Sequence, residues 1–199
     1  MAHPDFDAVL AAARDGRADA LRALWTRYAP SVAAYVVRKG SREPEELTSD
    51  VLLAVFRGLD AFDGDEPGFR AFVFTIAHRR ALDELRRRYR RGDTVPLQRD
   101  AAGADVIAVT FAPSAEDEAL DRWGTERARE LLDGLPSDQR DVLVLRILAD
   151  LSVEHVAEVL GKSVGAVRSL QDRGLARLRR TSPVRPTRGG GPPAMWWVR

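Results

Sequence analysis

The chain has 199 residues and 31% of them are charged, yet the net charge is only +1, so opposite signs are segregated along it rather than absent. Cysteine is absent, which excludes a disulfide framework, a thiol switch and a cysteine zinc site. The three histidines, His3, His78 and His155, are scattered. With no apolar run of membrane-span length and no leader-like N-terminus, the sequence predicts a cytoplasmic protein without membrane insertion.

Residues Asp5 to Arg38 predict a helix with one interruption, expected at Pro30 as a kink or brief break. Leu21, Leu24, Trp25, Tyr28, Val32, Tyr35 and Val36 keep helical spacing and form its buried stripe. A second helix is predicted from Pro44, a favourable first-turn residue followed by Glu45 and Glu46 at the positive end of the helix dipole. Its stripe is Leu47, Val51, Ala54 and Val55, continuing to Phe62. The exposed side carries Glu46, Asp50, Leu53, Phe56 and Arg57. Apolar residues beside acids fit either a protein-binding face or ordinary scattered surface apolars.

DGDEPG, Asp63 to Gly68, is a turn by composition. The long helix after it, Phe69 to Arg91, has Val73, Ile76, Ala77, Ala81 and Leu85 as its buried stripe. Its other faces hold Phe72, Phe74, His78, Arg79, Arg80, Asp83, Arg86, Arg87, Arg88, Arg90 and Arg91. Arginines neutralise phosphates and aromatic faces stack unpaired bases. The bland alternative is a solvated basic face with both phenylalanines in the core.

From Gly92 to Arg122, proline, glycine, alanine and acids predict a flexible acidic linker between two domains. Within it Val106–Phe111 is β-prone, and the sequence leaves open whether it packs on a domain or threads a partner's channel. A C-terminal domain is expected from about Trp123, with Leu131, Leu132 and Leu135 closing one helix before a Gly134–Pro136 break. Ser137 opens the next helix, whose stripe of Val142, Leu145 and Leu148 should cover the back of the segment from Ser152 onward.

That segment, Ser152 to Arg180, reads as two short helices joined by a tight turn. Ser152 caps a stripe of Val153, Val156, Ala157 and Leu160, and Gly161 comes after it as a left-handed C-cap. Ser163 caps the second helix, with Val164, Val167, Leu170 and Leu178 inward. This is a helix-turn-helix pattern. The second helix offers Ser163, Arg168, Ser169, Asp172, Arg173 and Arg177 to phosphates and base edges. The competing account is a helical hairpin with merely solvated arginines. The tail after Arg180, which ends near Trp196 and Trp197, is rich in proline and glycine and is expected to be disordered.

Three blocks in this order, PEELTSDVLLAVFRGL, FRAFVFTIAHRRALDELRRR and LLDGLPSDQRDVLVLRILADLSVEHVAEVLGKSVGAVRSLQDRGLARLRR, resemble the bacterial RNA polymerase sigma factors of the extracytoplasmic-function group in the sigma-70 family. The resemblance implies an all-α chain of two small helical domains. Residues 1–91 would be a region 2-like bundle, 92–122 a flexible linker, 123–180 a region 4-like helix-turn-helix domain and 181–199 a disordered tail. It implies a sigma factor that binds core RNA polymerase and directs promoter recognition, −10 melting and initiation, without cofactor, metal or enzymatic activity.

Glu46, Leu47, Asp50, Leu53 and Phe56 would then dock on the clamp helices of the largest polymerase subunit. Asp63, Asp65, Phe72, Arg79, Arg80, Asp83, Arg86 and Arg87 would serve the −10 element. Ser163, Val164, Arg168, Ser169, Asp172, Arg173 and Arg177 would read the −35 element. The flap of the second-largest subunit is a further implied partner. The family commonly has an anti-sigma factor, although the sequence names none.

The chain departs from the family at Phe72, where tryptophan is frequent, and at Arg80, where asparagine is common. His155 replaces the usual acidic capping-box residue. Gly174 inside the second helix should cost about 1 kcal/mol relative to alanine. The alternatives are a helix-turn-helix regulator that does not bind core polymerase, and a hydrolase or metal enzyme. His78, Asp83 and Glu84 share one helix, but their spacing does not converge on one point, and no phosphate loop or nucleophile elbow appears.

Overall fold

A computed structural model describes residues 6–91 and 130–181, and every element among them is helical. The first domain contains α1 (Phe6–Arg14), α2 (Ala18–Arg38), α3 (Pro44–Arg57), a 3-10 turn at Leu59–Ala61 and α4 (Glu66–Arg90). The second contains a helical stretch at residues 130–133, then α5 (Ser137–Ile147), α6 (Val153–Leu160) and α7 (Val164–Thr181). The expected linker at 92–122, Val106–Phe111, the start near Trp123 and the tryptophan tail lie outside the described residues.

The break in the first helical run falls at Gly16 and not at Pro30. Gly16 has φ of 74°, the Arg17 N–H donates to the Ala12 carbonyl and the Gly16 N–H to the Ala13 carbonyl, both at 3.1 Å. That is a Schellman C-cap, which a residue with a Cβ closes less readily. Pro30 sits inside α2 on its exposed side. Its cost, about 3 kcal/mol in a helix interior, is offset by Leu24, Tyr28, Val32, Tyr35 and Val36, all buried on the opposite face.

The first core is built on aromatic edges. Phe69 of α4 meets Phe6 of α1 at 5.5 Å and Tyr28 of α2 at 5.4 Å, while Tyr35 meets Phe74 edge-on at 5.6 Å. Phe74, expected on an outer face, is therefore core, 1% exposed, because the α4 stripe turns far enough to bury Phe69, Val73, Phe74, Ala77 and Ala81 together. In α3 the buried set is Leu47, Thr48, Val51, Leu52 and Val55.

In the second domain Val142, Leu143, Val144 and Leu145 are all buried, whereas Leu148 is 38% exposed. Leu148 comes just after the end of α5 and lies at a cleft between the domains instead of behind the helix-turn-helix. That cleft, about 260 Å³, is lined by Arg27, Tyr28, Arg70 and Phe74 from one side and Leu148, Ala149 and Asp150 from the other. Helix α6 packs on α4, and buried apolar residues of both domains form one continuous cluster. Lys39–Asp141 at 2.8 Å, Arg70–Asp150 at 2.8 Å and Arg38–Asp133 at 3.4 Å cross the seam as ion pairs.

Candidate nucleic-acid interface

Helix α7 is started by local capping and seated by packing. The Ser152 hydroxyl accepts from the His155 N–H at 3.1 Å and so caps α6; Gly161 then takes φ 61° and ψ 35°; and the Ser163 hydroxyl accepts from the Ala166 N–H at 3.2 Å. Buried Val156, Ala157 and Val159 face inward from α6, and buried Val167 and Leu170 from α7. Gly174 is buried as well, and a Cβ there would lie 2.9 Å from Leu143 Cδ1. Its glycine allows α7 to approach α5, a packing reason that its helix-propensity cost alone does not suggest.

This leaves Ser163, Arg168, Ser169, Asp172, Arg173 and Arg177 exposed along one helix, with Val164 half-buried. Arg168 reaches Glu154 Oε1 at 3.4 Å, and Arg173 Nε donates to the Ser169 carbonyl at 3.2 Å. The Glu154 carboxyl is held below its ordinary range first by a backbone N–H at the start of α6, with Ser152 and Arg168 adding to the effect. Such solvent-exposed contacts are weak, so these side chains can turn to another partner.

Helix α4 is set differently. Arg79, Arg80, Asp83, Arg86 and Arg87 are exposed, with Arg86 on Asp83 at 3.2 Å. Arg88 is diverted from this face and donates to the Gly40 carbonyl at 2.6 Å, closing the end of α2. Phe72 is half-buried against Phe62 at 5.4 Å and Phe69 at 6.1 Å, and a Cβ on Gly58 would come within 2.9 Å of its ring. It forms the floor of an aromatic cluster.

Asp65 caps α4 by accepting from the Gly68 N–H at 2.8 Å, and Asp63 is exposed beside it. The sequence does not mark the neighbouring ion cluster. Glu66, 5% exposed, pairs with Arg27 of α2 and with Arg70 at 3.2 Å. Only spatial proximity joins residues 39 positions apart, so no local pattern announces the contact.

His78 of α4 accepts or donates through Nδ1 to the Tyr35 hydroxyl at 2.7 Å. Burial pushes it below the ordinary value of 6.5, helped by Lys39, Arg86 and Lys162 and opposed by Asp141. Burial likewise raises the Tyr35 hydroxyl.

On α3, Glu46, Asp50 and Leu53 are exposed, Leu53 by 46%. Leu47 is 6% exposed and belongs to the core, because it continues the inward stripe one turn before Val51. Phe56 is half-buried, its ring 6.3 Å from Trp25. The accessible strip is therefore Leu53 with the edges of Phe56 and Trp25. Glu46 is raised first by a hydrogen bond with Glu43, then by its charge, with Asp50 adding to it. A basic partner would relieve that repulsion.

Comparison with known proteins agrees with this layout. The Sigma-70 region 2 family model matches residues 24–91 and the Sigma-70, region 4 model matches residues 131–180. The ECF RNA polymerase sigma factor SigD of Mycobacterium tuberculosis is 31% identical over 182 residues, 87% of this chain and 82% of the relative. ECF RNA polymerase sigma factor ShbA of Streptomyces griseus is 32% identical over 172 residues, 83% of this chain and 88% of the relative.

Among solved structures, CnrH in complex with the cytosolic domain of CnrY has a TM-score of 0.60 at 25% identity, covering 87% of this chain and 94% of that one. RpoE with the anti-sigma factor NepR from Bartonella quintana has a TM-score of 0.61 at 21% identity, covering 82% and 97%, and shares the fold. A helix-turn-helix regulator that does not bind core polymerase is not favoured, since the first domain itself matches Sigma-70 region 2. With region 2 on α2 to α4, region 4 on α5 to α7 and relatives matched along most of both chains, the chain belongs to the extracytoplasmic-function sigma factors of the sigma-70 family, which direct RNA polymerase to initiate transcription at promoters.

Proposed function

We propose a division of labour between the two domains. Residues 1–91 dock on core polymerase and take the −10 element, 92–122 link, and 123–180 hold the −35 element as closed duplex. Glu46, Asp50, Leu53 and the edge of Phe56 meet the clamp helices. Asp63 and Asp65 border the displaced −10 base above the Phe72 floor, while Arg79, Arg80, Arg86 and Arg87 hold the strand's phosphates and Asp83 orients Arg86. Arg168, Ser169, Asp172 and Arg173 meet base edges, and Ser163, Val164 and Arg177 border the groove. The observation that carries this reading is the simultaneous exposure of two basic helical faces, on α4 and α7, in the order of regions 2 and 4.

Sigma factors are not enzymes, and we assign no catalytic step to this chain. Among the described residues no helix is long and apolar enough to cross a membrane; we place the protein in the cytoplasm, where its polymerase works. CnrH, at 25% identity, was solved with the cytosolic domain of another protein, CnrY, which supports a protein partner for this chain as well; an anti-sigma factor is the class of partner we propose.

The test is run-off transcription with purified core polymerase across a genomic promoter library, beside a Leu53→Glu variant. The wild type should initiate from a defined promoter class, and the variant should lose core association at unchanged melting temperature. Co-purification of Leu53→Glu with polymerase at the wild-type level would move the docking face elsewhere.

A further inference from the structure

The backbone between the 3-10 turn and α4 is fastened at both ends. The Phe62 ring rests on Phe69 and Phe72 at 5.2 and 5.4 Å. Asp65 is tied to the Gly68 N–H, and Glu66 is buried between Arg27 and Arg70. One further fastening comes from α1. Arg14 Nε donates to the Leu59 carbonyl at 3.1 Å, and Arg14 Nη2 donates to the Phe62 carbonyl, across 45 and 48 residues of chain. Arg14 lies before residues 24–91, the part matched by the region 2 model.

A planar guanidinium bridging two carbonyls three residues apart fixes the end of a turn in a way that a single ammonium cannot. Arg14 is not needed to seat its own helix, because Phe6, Leu10 and Ala13 already bury that face, while Arg14 itself is exposed. What its grip leaves exposed is Asp63, Gly64 and Asp65.

We infer that Arg14 is a positioning residue for −10 recognition: by holding the Leu59 and Phe62 carbonyls it presets the Asp63–Asp65 rim against which a displaced base is captured. This rests on the proposed assignment of that loop to the −10 element. Taking a base out of its stack costs free energy that the pocket must return. A rim already ordered returns more of it, since no loop entropy is lost at capture.

The test uses holoenzyme made with the full chain, on a promoter carrying a fluorescent base analogue in the −10 non-template strand. Arg14→Ala, Arg14→Lys and, as a loop reference, Asp63→Ala are compared for strand opening, for binding to −35 duplex and for melting temperature. Arg14→Ala loses both hydrogen bonds and should lower opening by at least about tenfold, the size expected of a single charge-assisted hydrogen bond. Its −35 binding should be unchanged, and Arg14→Lys should recover part of the opening.

Normal opening in Arg14→Ala alongside reduced opening in Asp63→Ala keeps the loop assignment and overturns the role of Arg14. Normal opening in both overturns the loop assignment and this inference with it. A loss that merely tracks melting temperature, with no recovery in Arg14→Lys, makes the residue a staple and also overturns the inference. Should Arg14→Ala fail to fold, Arg14→Gln against Arg14→Lys reads the same difference.

Discussion

Helices α4 and α7 both present arginines to solvent, but what lies beneath them differs. Under α7 are apolar side chains, and its Arg168 and Arg173 make only exposed contacts, to Glu154 and to the Ser169 carbonyl. The start of α4 stands on a stack of aromatic rings, a buried carboxylate between two guanidiniums and a loop pinned from a distant helix. A helix that reads closed duplex needs only a rigid rod with free side chains. A site that takes a base from its stack, the role proposed for the start of α4, needs a prebuilt receptacle, and long-range contacts brace that region.

The largest expected effect breaks the receptacle side of that contrast. Glu66→Ala leaves Arg27 and Arg70 without their shared carboxylate and should destabilise the first domain by about 2 kcal/mol, below the figure for fully buried pairs because both arginines are partly exposed. Thermal unfolding measures it, and an unchanged melting temperature would show the cluster to be inert.

On α7, Arg168→Ala should weaken −35 binding by about 1–3 kcal/mol at its own base pair and relax specificity there. Unchanged footprints reject that contact. On α4, Arg79→Ala should instead weaken binding about evenly across sequences and reduce the salt slope by about 1. If Arg79 proves sequence-selective and Arg168 does not, the contrast is reversed.

His78 sharpens the comparison through pH. Its folded value lies below 6.5, so above 6.5 both states are neutral there and stability is full. As pH falls below 6.5 the unfolded chain takes up a proton that the folded chain resists, and stability is lost. Urea midpoints from about pH 8 to about pH 5 should fall for the wild type more than for His78→Gln.

Smallest is Gly174→Ala. Helix propensity favours alanine by about 1 kcal/mol, while the Cβ meets Leu143 Cδ1 at 2.9 Å. The two should nearly cancel, giving a net change within about 1 kcal/mol, and a clear gain in unfolding midpoint would show Leu143 free to move aside.

Much of the second domain is legible in the sequence because its rules are local: Ser152, Gly161 and Ser163 act within four residues of where they stand. The first domain is legible in its helices but less so in which way they face. Pro30 suggests a break that Gly16 makes instead, since buried neighbours overrule a proline's local cost. Leu47 fits both the inward stripe and the docking face by spacing, and only packing assigns it to the core. Phe74 reads as an outer residue because a stripe four residues wide cannot be told from one three wide by spacing alone. Arg14 and the Arg27–Glu66 pair give no signal, because those contacts span 39 to 48 residues.

The three ion pairs at the domain seam share a polarity: Arg38, Lys39 and Arg70 are on the first domain, and Asp133, Asp141 and Asp150 on the second. Each of these pairs thus joins a cation of the first half to an acid of the second. Dissolved salt shortens the reach of all such attractions, so the buffer that loosens this protein from a promoter also loosens its halves from one another.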